Sequence, residues 1–140
     1  MIERGSGHLV LVSSAAGLVG VYGYSAYAPA KFALRGLAET LRAELKPSGI
    51  LVACALPPDT DTPGLARENE SKPAATASIS STIKVRTADT VAKSIVRGIE
   101  RDRLVITADP STAMLARAAG LLGPVVRRTM DRHVRRAAKS

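Results

Sequence analysis

Three side chains between residues 14 and 31 have the types and the spacing that a proton-transfer site requires. Ser14 follows an apolar run, Tyr27 lies on a candidate helix, and Lys31 follows that tyrosine by four residues. Residues four apart lie on the same face of a helix, one turn from each other. A tyrosine has an ordinary pKa of about 10, so it is a poor acid or base near neutral pH unless a cation lowers that pKa. The spacing therefore predicts a phenol that Lys31 activates.

The chemistry that these groups fit is hydride exchange between a carbonyl and an alcohol. As hydride reaches the carbonyl carbon, the oxygen needs a proton, which Tyr27 can supply. The Ser14 hydroxyl can donate a hydrogen bond to the same oxygen and polarise it. Tyr22 and Tyr24 have no lysine four residues on, so Tyr27 is the tyrosine that fits. Each part also has an ordinary explanation, since serines often follow strands and a Tyr–Lys pair at this spacing also arises by chance.

Two apolar strands and a long helix are expected to position these groups. Residues 8–13 are apolar on both faces, which is typical of a central parallel strand covered by helices. A helix is predicted from Ser25 to about Lys46, and residues 50–56 form the next apolar strand. A strand, a helix and a strand of these lengths imply a right-handed parallel crossover. The loop before the helix contains three glycines that indicate either a flexible surface loop or a backbone close to a ligand: Gly17, Gly20 and Gly23.

The second half of the chain is predicted to contain one more helix and one more strand. Residues 57–73 are rich in proline and polar residues and predict a loop. Residues 74–86 are small and polar without a clear period, so we expect an irregular flap there. Thr87 is a candidate N-cap for a helix over about residues 88–101, and residues 103–107 form a short final strand.

Composition and charge exclude several classes of protein. The chain has 140 residues, 46% of them hydrophobic, one cysteine and a net charge of +8. Residues 127–140 hold six basic residues and one acid, so most of the charge lies in a basic tail. Aromatic residues do not interleave with that charge, so we expect no nucleic-acid partner. The first apolar run is too short for a secretory signal, no run reaches the roughly 20 apolar residues of a membrane span, and we identify no metal-ligating set.

The tail over residues 108–140 predicts an apolar and then basic helix. The tail has three interpretations, in order of preference: a solvated helix face, an interfacial segment attracted to anionic lipid, and a nucleic-acid surface, which the lack of aromatic residues disfavours. We expect a cytoplasmic protein, and on the lipid interpretation the tail would hold it at the cytosolic face of the endoplasmic reticulum if the source is a eukaryote.

The motifs VSSAAG, GxxGY and YxxxK, taken together, resemble the catalytic half of the short-chain dehydrogenase/reductase family. By that resemblance Tyr27 is the acid and base, and Lys31 also binds the ribose next to the nicotinamide. Ser14 orients the substrate, with Ser13 in its place if the strand register differs. The resemblance also implies a homodimer contact through the helix over residues 25–46.

The loop after the second strand departs from the common pattern of the family. Where members usually carry Pro-Gly, this chain has Pro57 and Pro58, followed by Thr60 and Thr62 in the positions that face the nicotinamide. A proline at position 58 removes a backbone donor. However, the segments ALPPDTDTPG and ENESKP resemble a narrower group of the family, which reduces the keto group of long-chain sphingoid bases with NADPH. That group implies a lipid ketone as substrate and a role in sphingolipid biosynthesis.

The resemblance also implies that part of a complete enzyme is absent from this chain. A complete member begins with a strand and a glycine-rich turn that holds the cofactor pyrophosphate, and none precedes His8. We therefore expect an α/β fold that keeps the last three strands of a Rossmann-type, doubly wound parallel sheet, with residues 1–107 as the C-terminal catalytic half. We expect the chain to be inactive by itself. The alternatives are a reductase of another hydrophobic carbonyl, such as a 3-oxoacyl chain or a steroid, and an inactive interaction module.

Overall fold

Parallel strands and long helices make up the fold, which is described by a computed structural model. The description covers residues 1–137, without the side chains of residues 122–124, 126, 127, 130, 133 and 137. The strands are β1 (Gly7–Val12), β2 (Ile50–Leu56), β3 (Thr60–Asp61), β4 (Arg86–Thr87) and β5 (Val105–Thr107). The helices are α1 (Tyr27–Leu45), α2 (Pro63–Ser71), α3 (Ala74–Ser80), α4 (Ala88–Glu100) and α5 (Pro110–Ala137), with short 3-10 turns at Ala15–Gly17 and Lys46–Ser48.

The main sheet has the order β1-β2-β5, and both of its pairings are parallel. Strand β2 lies in the middle and sends alternate side chains to opposite faces. On one face Val52, Cys54 and Leu56 pack against residues of α1 and α5. On the other face Ala53 and Ala55 pack with residues of β5 and α4. Helices therefore cover both faces, which confirms the predicted doubly wound α/β fold.

Strand β1 differs from the expectation of a helix-covered central strand. It pairs with β2 only, so among the described residues it forms an edge of the sheet. Its side chains are partly or largely exposed, and Val12 keeps 51% of its surface accessible. Its two leucines and one of its two valines still pack at the margins of the two hydrophobic clusters. Strand β1 is therefore an exposed edge strand in spite of its apolar sequence.

The helix that carries Tyr27 follows the prediction closely. Helix α1 begins at Tyr27 instead of Ser25 and ends at Leu45, where the 3-10 turn takes over. Gly49 then adopts a left-handed conformation with φ of 70°, and a Cβ there would lie 2.2 Å from the Gly5 carbonyl oxygen. Glycine is therefore the residue that this turn requires before β2 starts.

The segment predicted as a loop and an irregular flap contains two helices, so that prediction was wrong. Helix α2 starts after Thr62, whose hydroxyl accepts the amide of Leu65, and Pro63 occupies its first turn. Helix α3 has no apolar period, because the residues that it buries are the small side chains Ala75 and Thr76. Its packing against α5 stabilises it, and tertiary contacts of this kind leave no hydrophobic stripe in the sequence.

The last two helices have side-chain caps. Thr87 accepts the amide of Thr90 at the start of α4, as predicted. Asp109 accepts the amide of Thr112 at 2.9 Å at the start of α5. Leu115 of α5 packs against the core, so the helical tail begins on the body of the fold. Within residues 1–137, none of the helices combines the length and the hydropathy that a membrane span needs.

Candidate active site

The two serines at the end of β1 have different surroundings. Ser13 is buried, and its hydroxyl donates to the Lys31 carbonyl at 2.7 Å. The Ser14 Oγ accepts the amide of Ala16 at 3.1 Å, which caps the 3-10 turn and leaves the hydroxyl proton available. The structure therefore favours Ser14 as the hydroxyl that can donate to a bound carbonyl, and gives Ser13 a structural hydrogen bond.

Tyr27 lies between a cation and a second aromatic ring. The Lys31 ammonium is 5.4 Å from the centre of the Tyr27 ring, within the range of a cation–π contact, and donates to the Val12 carbonyl at 3.2 Å. The Tyr24 ring packs edge-on at 5.4 Å between centroids. Tyr27 nevertheless keeps 42% of its surface exposed. Its ring is thus held in place while the residue as a whole stays accessible.

Two cavities meet at this tyrosine. The larger has a volume of about 390 Å³, and its walls include all the residues that the sequence placed in the site: Ser14, Tyr27, Lys31, Pro57, Pro58, Thr60 and Thr62. The smaller, of about 130 Å³, has a largely apolar wall that includes Val19, Ile79 and Ile83. Ser14 and Tyr27 line both cavities. A molecule in either one therefore contacts the same two residues.

The loop after β2 closes one side of the larger cavity. The Pro57 carbonyl accepts the amide of Ala15, which fixes the loop beside Ser14. The Thr60 hydroxyl donates to the Pro58 carbonyl at 2.8 Å, and the Thr62 hydroxyl caps α2. Both threonine hydroxyls are thus engaged with the protein backbone. Cofactor contacts for these four residues stay a prediction.

Sequence reasoning missed a polar wall beside Tyr27, formed by Tyr24, Asp59 and Glu68. All three side chains line the smaller cavity, and the two acids also line the larger one. The Tyr24 hydroxyl donates to Oε1 of Glu68, and the Lys72 ammonium lies 3.1 Å from the same oxygen. The four-residue spacing of Glu68 and Lys72 is a helical signal. This signal is present in the sequence, but the proline-rich and polar composition of residues 57–73 predicts a loop.

Burial shifts the pKa of two groups in the polar wall. Burial raises the pKa of Tyr24 well above its ordinary range, and the hydrogen bond to Glu68 adds to the effect. Tyr24 is therefore a fixed donor and unsuited to release a proton. Burial also raises the pKa of Asp59, a shift that Lys72 opposes and Glu68 reinforces. The surroundings of Asp59 therefore disfavour its ionised form.

The geometry agrees with the comparison to known proteins. A sequence model of the short chain dehydrogenase family matches residues 1–73, which include the serine, tyrosine and lysine described above. The chain belongs to this family.

Two curated relatives of this short chain dehydrogenase are named as reductases. The chain is 55% identical over 118 residues to 3-ketodihydrosphingosine reductase of Dictyostelium discoideum, an alignment that covers 83% of this chain and 35% of that protein. It is 46% identical over 125 residues to 3-dehydrosphinganine reductase of Danio rerio, covering 89% of this chain and 38% of the relative. The chain thus spans little more than a third of the length of these relatives.

A solved structure with the same fold contains a cofactor. The short-chain dehydrogenase from Sphingobium yanoikuyae in complex with NADPH superposes with a TM-score of 0.67 and 27% identity. The superposition covers 93% of this chain and 47% of that chain. The fold of this short chain dehydrogenase is therefore the same as about half of that protein, which binds a cofactor of the NADP type.

Proposed function

We propose that the protein containing this chain reduces 3-ketodihydrosphingosine, a long-chain 2-amino-3-ketone, to its 3-alcohol with NADPH. The observation that carries the proposal is that Ser14 and Tyr27 line both cavities at once. A ketone in the smaller cavity and a nicotinamide in the larger one would meet at these hydroxyls. The names of the relatives support the choice of ketone.

The residues of the larger cavity fit the nicotinamide and ribose end of the cofactor. The cavity is open, has a volume of about 390 Å³, and presents the Lys31 ammonium and the Tyr27 phenol, which can bind sugar hydroxyls. The loop from Pro57 to Thr62 provides its opposite wall. When bound, NADPH supplies the hydride that reaches the carbonyl carbon.

The chain itself supplies the proton and the polarisation. The Tyr27 hydroxyl donates its proton to the carbonyl oxygen, which becomes the hydroxyl of the product. The Ser14 hydroxyl donates a hydrogen bond to that oxygen and stabilises the charge that develops on it. The Lys31 ammonium, held by the Val12 carbonyl beside the Tyr27 ring, stabilises the phenolate that remains.

The experiment is the substitution Tyr27→Phe in the protein containing this chain, with NADPH oxidation measured against 3-ketodihydrosphingosine. We expect a loss of at least about 100-fold in kcat, because the proton donor is removed. Tyr22→Phe is the matched control, since Tyr22 is 50% exposed and lines neither cavity. Undiminished turnover by Tyr27→Phe would contradict the proposal.

We also propose that residues 1–140 by themselves bind NADPH weakly and do not turn it over. The chain spans little more than a third of the length of its relatives, and the residues of the larger cavity fit the nicotinamide and ribose end of the cofactor alone. Titration calorimetry with NADPH tests this point, and micromolar affinity for the isolated chain would contradict it.

Helix α5 supports a proposal about membrane contact. Met114, Leu121 and Val125 share one exposed face of the helix, and Arg128 and Arg132 continue the same face. We propose that this face binds an anionic membrane surface. The apolar residues would insert into the membrane, and the arginines would contact the lipid headgroups.

Vesicle sedimentation tests the membrane contact. The double substitution Arg128→Gln and Arg132→Gln should reduce binding to phosphatidylserine vesicles. The control is the exposed pair Arg101 and Arg103, changed to glutamine in the same way. Equal losses in both variants would contradict a specific role of α5.

Helix α1 supports a homodimer as a further proposal. Only Ala28 and Ala38 of this helix are buried, and Phe32 and Leu37 are 42% and 45% exposed. Apolar side chains on such a helix lose water when a second copy covers them. Sedimentation equilibrium should show a dimer that Phe32→Asp weakens, and an unchanged dimer would place the contact elsewhere.

A further inference from the structure

One carboxylate of the polar wall, that of Glu68, is held through one of its two oxygens. Tyr24 and Lys72 both contact Oε1 of Glu68. Among the described residues, no hydrogen bond reaches Oε2, and the side chain is 39% exposed. Glu68 lines both cavities, as do Ser14 and Tyr27. An acceptor oxygen of Glu68 is therefore available in the cavities that would receive the ketone and the cofactor.

The contacts with Tyr24 and Lys72 restrict the position of the Glu68 carboxylate. The Lys72 side chain is only 3% exposed, and its ammonium is also 3.3 Å from the Ser80 hydroxyl. The Tyr24 ring packs on the Tyr27 ring, so the group that anchors Glu68 also contacts the proposed proton donor. A carboxylate held at one oxygen from two sides loses little conformational entropy when its other oxygen binds a ligand.

The polar wall holds two carboxyl groups and one ammonium. Asp59 and Glu68 supply the carboxyl groups, and Lys72 supplies the ammonium, which contacts Glu68. No hydrogen bond of the described residues satisfies the Asp59 carboxylate. With both carboxyl groups ionised, a ligand with one positive charge would balance the wall.

We propose that Oε2 of Glu68 binds a primary ammonium on the carbon next to the ketone, which makes this carboxylate the group that selects 2-amino ketones. The proposal rests on the proposed function. An ammonium one carbon from the carbonyl lies next to the reacting oxygen, and Glu68 lines the same smaller cavity as Ser14 and Tyr27. The smaller cavity, about 130 Å³, holds this polar head, and the long alkyl chain extends beyond it past the apolar residues Ile79 and Ile83.

The raised pKa of Asp59 supports this assignment. Burial disfavours the ionised form of Asp59, and an ammonium bound beside it would stabilise that form. A cationic ligand would therefore offset the cost of ionising this carboxyl group.

The test compares two ketones in the protein containing this chain. One is 3-ketodihydrosphingosine, and the other is the same long-chain 1-hydroxy-3-ketone with hydrogen in place of the amine. Glu68→Gln keeps the shape of the side chain and a hydrogen-bond acceptor for Tyr24. We expect it to raise KM for the amino ketone about 10- to 100-fold, the effect of losing a charged hydrogen bond. For the ketone without the amine, KM and kcat should change less than about threefold.

Controls separate binding from folding. Glu70→Gln removes an exposed carboxylate from the same helix and should change neither substrate's KM. Glu68→Asp should restore part of the preference for the amino ketone. The unmodified protein gives a readout that needs no variant, since its kcat/KM should be at least about tenfold higher for the amino ketone.

Two results would overturn the inference. One is an equal loss with both ketones in Glu68→Gln, which would show that Glu68 only supports the structure. The other is an unmodified protein that reduces the two ketones equally well. If the unmodified protein oxidises NADPH with neither ketone, the proposed function itself fails, and this outcome is distinct from both.

Discussion

The hydroxyl of Ser13 and the carbonyl oxygen of Lys31 are 2.7 Å apart, and this hydrogen bond ties the end of β1 to helix α1. Lys31 makes a second tie, because its ammonium donates to the Val12 carbonyl at 3.2 Å. The helix that carries Tyr27 is thus fixed against the strand end that carries Ser14. The proposed proton donor and the proposed polarising hydroxyl are held together by backbone contacts of their neighbours.

The two serines should therefore respond differently to substitution. Ser13→Ala removes a buried hydrogen bond and should lower the free energy of unfolding by about 1 kcal/mol. Ser14→Ala removes the donor to the carbonyl and should lower kcat/KM about 100-fold. Urea denaturation and NADPH oxidation of both variants check this difference. A larger loss of kcat/KM in folded Ser13→Ala than in Ser14→Ala would contradict it.

Gly17 lies against the contact between the end of β1 and helix α1. A Cβ at this position would lie 2.5 Å from Oγ of Ser13 and 2.9 Å from the Lys31 carbonyl oxygen. It would therefore clash with both atoms and disrupt the hydrogen bond between them. We expect Gly17→Ala to lower the free energy of unfolding by about 1–3 kcal/mol. Gly20→Ala is the control, because a Cβ there meets no atom within 4 Å. If urea denaturation shows the same loss of stability for Gly17→Ala and Gly20→Ala, the packing around Gly17 leaves room for a Cβ and the prediction is wrong.

Asp59 should make the stability of the protein depend on pH. Burial raises its pKa, so the folded state binds this proton more tightly than the unfolded chain does. The stabilisation from that proton is complete below the ordinary carboxyl pKa of about 3.9 and is lost as pH rises through the raised value. The neutral Asp59→Asn should therefore unfold at higher urea concentration than the original protein at pH 7, and this advantage should disappear near pH 4.

The control for this comparison is Asp61→Asn, which changes an exposed aspartate two residues away. It should leave the urea midpoint at pH 7 nearly unchanged. If Asp59→Asn lowers the midpoint at pH 7, attraction to Lys72 outweighs burial and the reasoning is wrong.

Asp109 should have the opposite dependence. Its burial opposes ionisation, but hydrogen bonds from Ser111 and Thr112 outweigh burial and hold its pKa below the ordinary value. The stabilisation is therefore present above the ordinary carboxyl pKa of about 3.9 and is lost as pH falls through the lower, folded value. Asp109→Asn should be less stable than the original protein at pH 7, with the difference closing in acid.

A variant without any capping side chain at position 109 separates the contribution of the hydrogen bond from that of the charge. Asp109→Ala also loses the acceptor for the Thr112 amide, so it should cost about 1–2 kcal/mol. Thermal unfolding compared across the two variants and the exposed control Asp131→Asn measures both parts. An alanine variant as stable as the control would show that the cap contributes nothing.

Some elements could be predicted from local sequence because their signals are local. Ile50–Leu56 is uniformly apolar and forms β2 with the predicted bounds. The Tyr27 and Lys31 spacing needs only a helix to bring the two side chains to one face. The Thr87 hydroxyl caps α4 by accepting a hydrogen bond from the Thr90 amide, a contact between residues three apart in the sequence. Helix α3 could not be found this way, because it is held by buried small residues whose neighbours are distant in the chain.

The amino-acid sequence by itself determined the three strands of the main sheet, the helices that cover its two faces, the serine that follows the first strand, and the tyrosine and lysine on the next helix. Only the tertiary structure decided that β1 lies at an edge, that Ser13 and Ser14 differ in role, and that Glu68 reaches the site. The reason is physical. Periodicity and spacing report contacts within one turn or one strand, whereas Tyr24 and Glu68 meet across 44 residues of chain. Contacts of that range depend on how the helices pack, and no local pattern records it.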